Sequence, residues 1–314
     1  MGYASYQSFS VSNEGIILLS SEANRYQLTW FSRVGNVLST VGQPERYAAL
    51  RIAPDGGRTA IVLVDSSGNR DIWQMDLARG AQTRITTNGR GFVAVWSPDG
   101  QRLAYHIANA PYLFERLASG AGQEEMVLQS KYPVYINDWS PDGRYLMYTE
   151  TSPESQNDLW LLPTSGDRKP ISFLKSSFNE SHGQFSPDGK WIAYTSDESG
   201  QPEVYVQSML TGTFKALISN SGGSFARWRR DGKELFYRAV DGRLMATSVR
   251  NTSQGLEFAT PTPLFRIAEP LGSFAYPYDV TPDGQRILAF APMGGAAFAA
   301  PLTLLVNWEA SLRK

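Results

Sequence analysis

The 314-residue sequence contains no cysteine and only two histidines, His106 and His182. The lack of cysteine excludes thiol catalysis, thiolate metal sites and disulfide bonds, and it is compatible with a reducing or an oxidising compartment. Two histidines cannot form a three-histidine metal site. We therefore predict no metal and no cofactor.

Long hydrophobic runs and an excess of charge of one sign are also missing. No apolar stretch reaches the roughly 18 residues that a membrane helix needs. Residues 1–10 lack the basic start and apolar core of a secretion signal. The 29 basic and 30 acidic residues nearly cancel. We expect no membrane segment in this chain and no nucleic-acid partner.

Short catalytic motifs are absent as well. The sequence contains no His-Glu-x-x-His and no Gly-x-Ser-x-Gly. Residues 89–94 match the sequence of the dinucleotide-binding fingerprint, but they precede a strand pattern instead of a helix. The match therefore does not indicate a dinucleotide site. The sequence predicts no catalytic residue.

A short phrase recurs seven times: an apolar run, a tight turn of the Ser-Pro-Asp-Gly type, and a second apolar run. The clearest copies are residues 96–105, 139–148 and 185–194. A repeat of this length with hairpin chemistry is typical of a β-propeller. The acidic turn residues, spaced by 41 to 52 positions, are Glu14, Asp55, Asp99, Asp142, Asp188, Asp231 and Asp283.

The residues around each turn predict four strands per repeat, because β-branched and aromatic runs are punctuated by Gly, Pro, Asp and Ser. We predict an all-β fold: one β-propeller domain over residues 1–314, with four-stranded antiparallel blades and very little helix. In the turn, Pro presets φ, Asp bonds its own backbone two residues on, and Gly takes the positive φ. We expect the turn acids to be structural and the neighbouring aromatic residues to fill the core.

One position in each repeat, just before the hydrophobic residue that leads into the turn, is often polar. In a propeller the first strand of each blade lines the central channel, so these positions form a ring. They are Ser10, Arg51, Val95, Asp138, Gln184, Arg227 and Asp279, with His182 nearby. One interpretation is ion pairs between neighbouring blades, such as Arg227 with Asp279. The other is a polar channel mouth that binds a small ligand or a peptide end; its ligand-binding residues would be Arg51, Asp138, His182, Gln184, Arg227 and Asp279.

The repeat Trp-Ser-Pro-Asp-Gly-x-x-Ile/Leu-Ala-Tyr, followed by Asp-Ile/Leu-Trp, resembles that of TolB-type propellers with WD-like, Pro-Asp repeats, over residues 9–291. Residues 25–31, 69–73 and 302–308 more narrowly resemble the C-terminal propeller of bacterial serine/threonine kinases. No kinase motif is present. The resemblance implies the sensor or docking part of a longer, membrane-anchored kinase, in a periplasmic or otherwise extracytoplasmic location.

TolB-type propellers typically have six blades, whereas seven phrases of about 45 residues fit this chain length better than six of about 52. We favour seven blades, with six as the alternative. The last blade would then end with a third strand at 302–308. We expect residues 3–7 to supply its fourth strand, because an open edge leaves backbone groups unpaired.

These observations favour a non-catalytic binding or sensing module that engages a protein or a small-molecule ligand through its channel mouth or loops. The alternative is a propeller enzyme, such as a polysaccharide lyase or a glycosidase, that uses paired carboxylates. Asp138 and Asp279 are the one plausible pair in the ring.

Overall fold

The computed structural model describes residues 9–11, 17–20, 25–209, 212, 214–268, 276–293 and 302–305. These residues form strands, turns and loops without a helix, so none of them belongs to a helix that could cross a membrane. The predicted all-β fold is confirmed for this part of the chain.

The strands follow one another as antiparallel hairpins. The first four are β1 (Phe9–Val11), β2 (Ile17–Ser20), β3 (Tyr26–Ser32) and β4 (Val37–Glu45). Blade 1 contains β5 (Tyr47–Ile52), β6 (Arg58–Val64), β7 (Arg70–Asp76) and β8 (Gln82–Arg84). Blade 2 contains β9 (Gly91–Trp96), β10 (Arg102–Ile107), β11 (Tyr112–Leu117) and β12 (Glu125–Gln129). Blade 3 contains β13 (Val134–Trp139), β14 (Tyr145–Ser152), β15 (Gln156–Pro163) and β16 (Ile171–Leu174).

Blade 4 contains β17 (Glu180–Phe185), β18 (Trp191–Ser196), β19 (Glu203–Ser208) and β20 (Lys215–Leu217). Blade 5 contains β21 (Gly223–Trp228), β22 (Glu234–Ala239), β23 (Arg243–Thr252), β24 (Gly255–Phe258) and β25 (Thr262–Arg266). The last three strands are β26 (Tyr278–Val280), β27 (Arg286–Pro292) and β28 (Leu302–Leu305).

Blade 6 closes the ring with strands from both ends of the described chain. Its order is β26, β27, β3, β4, and β27 pairs with β3 from Arg286 opposite Ser32 to Pro292 opposite Tyr26. Its first strand, β26, contacts β5 of blade 1, just as β5 contacts β9, β9 contacts β13, β13 contacts β17 and β17 contacts β21. The Tyr278 hydroxyl on β26 donates to Phe225 O on β21 at 2.8 Å, which joins blade 6 to blade 5.

The favoured count of seven blades is wrong: the described residues form six. The first phrase, which forms β1 and β2, is not part of a blade. The strands that follow it, β3 and β4, complete the blade that the last phrase begins with β26 and β27. Strands β1, β2 and β28 form a separate three-stranded sheet. Ser10 therefore lies outside the blades, and residues 302–305 pair with β2 instead of extending the last blade. The predicted closing strand at residues 3–7 lies outside the described residues.

The turn aspartates hold the hairpin corners in the way the sequence predicts. Asp142 Oδ1 accepts hydrogen bonds from Ser140 Oγ at 2.7 Å and from Arg144 N at 3.1 Å. Ser140 Oγ in turn accepts from Tyr145 N at 2.8 Å, so one side-chain pair ties both ends of the corner. The same arrangement recurs in the pairs Ser97 with Asp99, Ser186 with Asp188 and Thr281 with Asp283.

Buried aromatic and histidine side chains fill the space between blades. The Trp96 indole N–H on blade 2 donates to Arg51 O on blade 1 at 2.9 Å. His106 is fully buried, and its Nδ1 accepts from Ile136 N on blade 3 at 3.2 Å. Burial lowers the pKa of His106 to about 3, which keeps the imidazole neutral and able to accept this bond.

We expect the substitution Asp142→Ala to lower the free energy of unfolding by about 1 to 2 kcal/mol, because it removes the acceptor that organises the corner. Thermal unfolding followed by circular dichroism measures the change. The matched control is Asp167→Ala, since that exposed aspartate has a single 3.4 Å contact with Lys169 N. Equal melting temperatures for the two variants would contradict a structural role for Asp142.

Candidate functional site

Polar side chains of the innermost strands join three pairs of neighbouring blades around the channel. Asp138 Oδ2 on blade 3 accepts from Phe185 N on blade 4 at 3.0 Å. Gln184 Oε1 on blade 4 accepts from Trp228 N on blade 5 at 3.0 Å, in the same geometry. Each acceptor stands at the predicted ring position, and each donor is the residue that follows the ring position in the next blade.

The same contact closes the ring between blade 6 and blade 1. Asp279 Oδ2 accepts from Ile52 N at 2.8 Å, and its Oδ1 accepts from Val280 N at 2.9 Å. The polar ring is therefore part of the bonding between blades. This role explains why a strand buried on both faces carries carboxylate and amide groups.

Two arginines lie in the same ring, and both contact the aromatic ring of Tyr276. Arg51 Nη2 donates to Asp138 Oδ1 at 2.7 Å, and this pair joins blade 1 to blade 3. Arg227 Nε lies 3.5 Å from Asp279 Oδ1, between the neighbouring blades 5 and 6. Both guanidinium groups lie over the ring of Tyr276, with centroid distances of 5.5 Å for Arg51 and 3.8 Å for Arg227.

Burial and charge act differently on these groups. Burial and the charge of Arg51 lower the pKa of Arg227. For Arg51, burial alone would lower the pKa, but Asp138 and Asp279 outweigh burial and raise it. Burial raises the pKa of Asp138 in spite of both arginines. Nearby carboxylates therefore compensate for the burial of Arg51 but not for the burial of Arg227.

The structure brings Arg51, Asp138, Arg227 and Asp279 together, with Gln184 beside them. The predicted closeness of Arg227 and Asp279 is found in the structure. The predicted partnership of neighbouring blades does not extend to Arg51 and Asp138, which come from blades 1 and 3. That these residues bind a ligand stays a prediction.

His182 lies at a different level of the channel, in a pocket between blades 4 and 5. This blade 4–5 pocket, with a volume of about 330 Å³, opens on the face opposite the Ser-Pro-Asp-Gly turns. The His182 ring packs on Phe225 at 4.3 Å and lies 5.9 Å from Tyr276, which connects the pocket to the arginines. The lining residues are Asn179, Ser181, His182, Thr195, Asp197, Pro202, Ser224, Phe225 and Arg238.

Irregular pairing of the two innermost strands shapes this pocket. The register shifts between Ser181 and Gln184 on β17 and between Ser224 and Arg227 on β21. Within the shifted segments His182 has φ of 54° and Phe225 has φ of 58°, a conformation that is costly for large side chains. A Cβ on the intervening Gly183 would lie 2.2 Å from Met147 Sδ, so glycine lets the bulge press against blade 3.

Most of the pocket residues escaped the sequence prediction. Asn179 and Asp197 lie outside the strands, where Asn179 donates to the two Asp197 oxygens from N at 2.8 Å and from Nδ2 at 2.7 Å. Phe225 and Arg238 read as ordinary strand residues. A usable signal was the Ser-His-Gly sequence at 181–183, because a glycine inside a strand pattern often marks a bulge.

The groups in the channel and the pocket suit recognition by hydrogen bonds. Both oxygens of Asp138 and both oxygens of Asp279 already accept hydrogen bonds, which leaves neither carboxylate suited to general acid catalysis. Over the described residues, no cluster of three His, Asp or Glu side chains could hold a metal ion.

A family model described as "TolB beta propeller domain" matches residues 94–262. The Tol-Pal system protein TolB of Francisella tularensis subsp. mediasiatica is 30% identical over 129 residues, which cover 38% of this chain and 29% of that protein. Tricorn protease homolog 1 of Streptomyces coelicolor is 28% identical over 174 residues, which cover 54% of this chain and 15% of that protein. The chain thus spans less than a third of the length of either curated relative.

Among solved structures, one from Agrobacterium tumefaciens that carries the TolB name superposes with a TM-score of 0.68. It is 19% identical in sequence, and the match covers 86% of this chain and 99% of the other. At this identity the likeness shows the fold alone. The TolB-type resemblance predicted from the repeat is confirmed, and the narrower resemblance to kinase-linked propellers stays a prediction.

We expect Gln184→Leu to destabilise the protein by about 1 to 3 kcal/mol, because it leaves the buried Trp228 N–H without its acceptor. Urea unfolding followed by tryptophan fluorescence compares the variant with the wild-type protein. If the leucine variant is as stable as the wild-type protein, the bond between blades 4 and 5 contributes nothing.

Stability should also depend on Glu180, which is 3% exposed and lies beside the blade 4–5 pocket. Burial, with added repulsion from Asp158, Asp197 and Glu198, raises its pKa from 4.5 to about 7, although Ser176 Oγ donates to it. Because the pKa of Glu180 is higher in the folded than in the unfolded protein, its contribution to stability is fully present below the unfolded pKa. This contribution is lost as the pH rises through about 7.

The substitution Glu180→Gln should therefore stabilise the protein at pH 8 and have little effect near pH 4.5, because glutamine imitates the protonated acid. Urea unfolding of both proteins at the two pH values measures the difference. An equal difference at both pH values would show that Glu180 does not titrate in this range.

Proposed function

Because the chain belongs to the TolB β-propeller family, we propose that it is a non-catalytic binding module that engages a partner protein at the blade 4–5 pocket. The observation that carries the proposal is the pocket itself. It combines the aromatic ring of Phe225 with hydroxyl, amide, imidazole and charged groups, the mixture that fixes a ligand's position.

The strained backbone of His182 and Phe225 supports this assignment. Two large side chains in the left-handed region are expensive, and such strain concentrates at functional sites. Both side chains line the same pocket from equivalent places in neighbouring blades. A structural bulge without function could have used glycine or asparagine at lower cost.

A partner protein suits the pocket better than a substrate does. Ser181 Oγ lies 2.9 Å from His182 Nδ1, but Ser181 is buried, and the nearby Asp197 is engaged by Asn179. No nucleophile with a base and an orienting acid is assembled among the described pocket residues. The Francisella relative is named as a protein of the Tol-Pal system, which is compatible with a partner protein. A location outside the cytoplasm is part of the same proposal.

The test is selection of binders from a random peptide display library on the wild-type protein. The substitution Ser224→Phe places a ring in the pocket, whereas Ser199→Phe, on an exposed position of the nearby loop, leaves the pocket open. We expect the selected peptides to bind the Ser224 variant at least about 10-fold more weakly and the Ser199 variant unchanged, by calorimetry. A library without binders, or binders that both variants retain, would contradict the proposal.

A further inference from the structure

The guanidinium group of Arg227 is buried, and one complete edge of it makes no hydrogen bond to the described residues. Its side chain is 1% exposed, and Arg227 heads the largest fully buried side chains of the described residues. Nη1 donates to Ala226 O at 3.2 Å, whereas Nε and Nη2 have no hydrogen-bond partner in the described part of the chain. Nε and Nη2 point in parallel, the geometry that binds both oxygens of one carboxylate.

Asp279 is the carboxylate beside Arg227, but both of its oxygens accept hydrogen bonds from backbone N–H groups. Its Oδ1 stays 3.5 Å from Arg227 Nε and accepts from Val280 N, while its Oδ2 accepts from Ile52 N. Two backbone donors from two blades therefore hold its orientation. Turning toward Arg227 would break the contact that joins blade 6 to blade 1.

Arg51 adds a third donor. Its Nη2 is paired with Asp138, but its buried Nη1 has no hydrogen-bond partner within the described residues. Both guanidinium groups lie over Tyr276, and the charge of Arg51 acts on Arg227, so the two arginines share one environment. Unpaired donors of charged groups are among the most costly buried polar atoms, and native structures nearly always satisfy them.

We propose that Arg227 binds a small carboxylate through its Nε and Nη2 edge, with Arg51 Nη1 as the further donor. An added negative charge offsets both the burial of Arg227 and its repulsion by Arg51. The ligand is small, because these donors are shielded while the side chains of Arg51, Asp138 and Asp279 keep only 11 to 12% exposure. This site is distinct from the blade 4–5 pocket and stands whether or not the pocket binds a partner.

The test follows the arginine Nε–H signals of the wild-type protein by ¹⁵N NMR during titration with formate and acetate. We expect one signal to move downfield and saturate, and we expect acetamide, the neutral analogue of acetate, to leave it in place. The Arg144 Nε–H, which is exposed and paired with Asp142 at 2.6 Å, serves as the control that should not move. Arg227→Lys keeps the charge but loses the fork, so it should remove the responding signal.

Peptides with a free and with an amidated C terminus distinguish the source of the carboxylate. A response to acetate and to the free peptide, but not to the amidated peptide, assigns the site to a chain end. A response to formate and acetate but to neither peptide assigns it to a free small acid. The proposal is overturned if acetate and acetamide act alike or if no Nε–H signal responds. It is also overturned if the signal responds to acetate only after Asp279→Asn, because Asp279 would then fill the edge in the wild-type protein.

Discussion

The ring depends on hydrogen-bond acceptors for the backbone N–H groups at the inner edges of its blades. The first strand of a blade pairs on one side only, and its other edge faces the channel, where some N–H groups have no strand to pair with. Asp138, Gln184 and Asp279 meet this need by accepting the N–H of Phe185, Trp228 and Ile52 in the next blade. In a closed ring each blade is held between two neighbouring blades, so each contact between blades supports the others.

The repeat could be recognised from the sequence, but the blade count could not. Turn chemistry is local, so the Ser-Pro-Asp-Gly corners and the four strands around them follow from neighbouring residues. Closure is a long-range property: β27 must select β3, across more than two hundred residues, as its partner. Nothing in either strand distinguishes that pairing from a pairing with its sequence neighbours. The first phrase therefore predicts a blade of its own, whereas its strands β1 and β2 form a separate sheet with β28.

The candidate site was predictable to the same limited degree. A polar residue in an otherwise apolar strand identified Arg51, Asp138, Gln184, Arg227 and Asp279, since the channel position recurs once per repeat. The pairing was predictable for Arg227 and Asp279, which come from neighbouring blades. It was not predictable for Arg51, which bonds to Asp138 two blades away. The blade 4–5 pocket depends on bulges at His182 and Phe225. A bulge changes the direction of side chains but has only a weak sequence pattern, so the pocket was not predicted.

The bonding between blades explains the two arginines only in part. That bonding requires an acceptor at the ring position, which carboxylate and amide side chains supply and guanidinium groups cannot. Val95 occupies the same position in blade 2, so the fold does not require a polar residue there in every blade. Arg51 and Arg227 bring two positive charges into the channel at a cost in desolvation. Their pairing with Asp138 and Asp279 is incomplete for Arg227, whose donors outnumber the oxygens within reach. A residue that costs stability, and whose contacts between blades leave buried donors without a hydrogen bond, is best explained by what else it can bind.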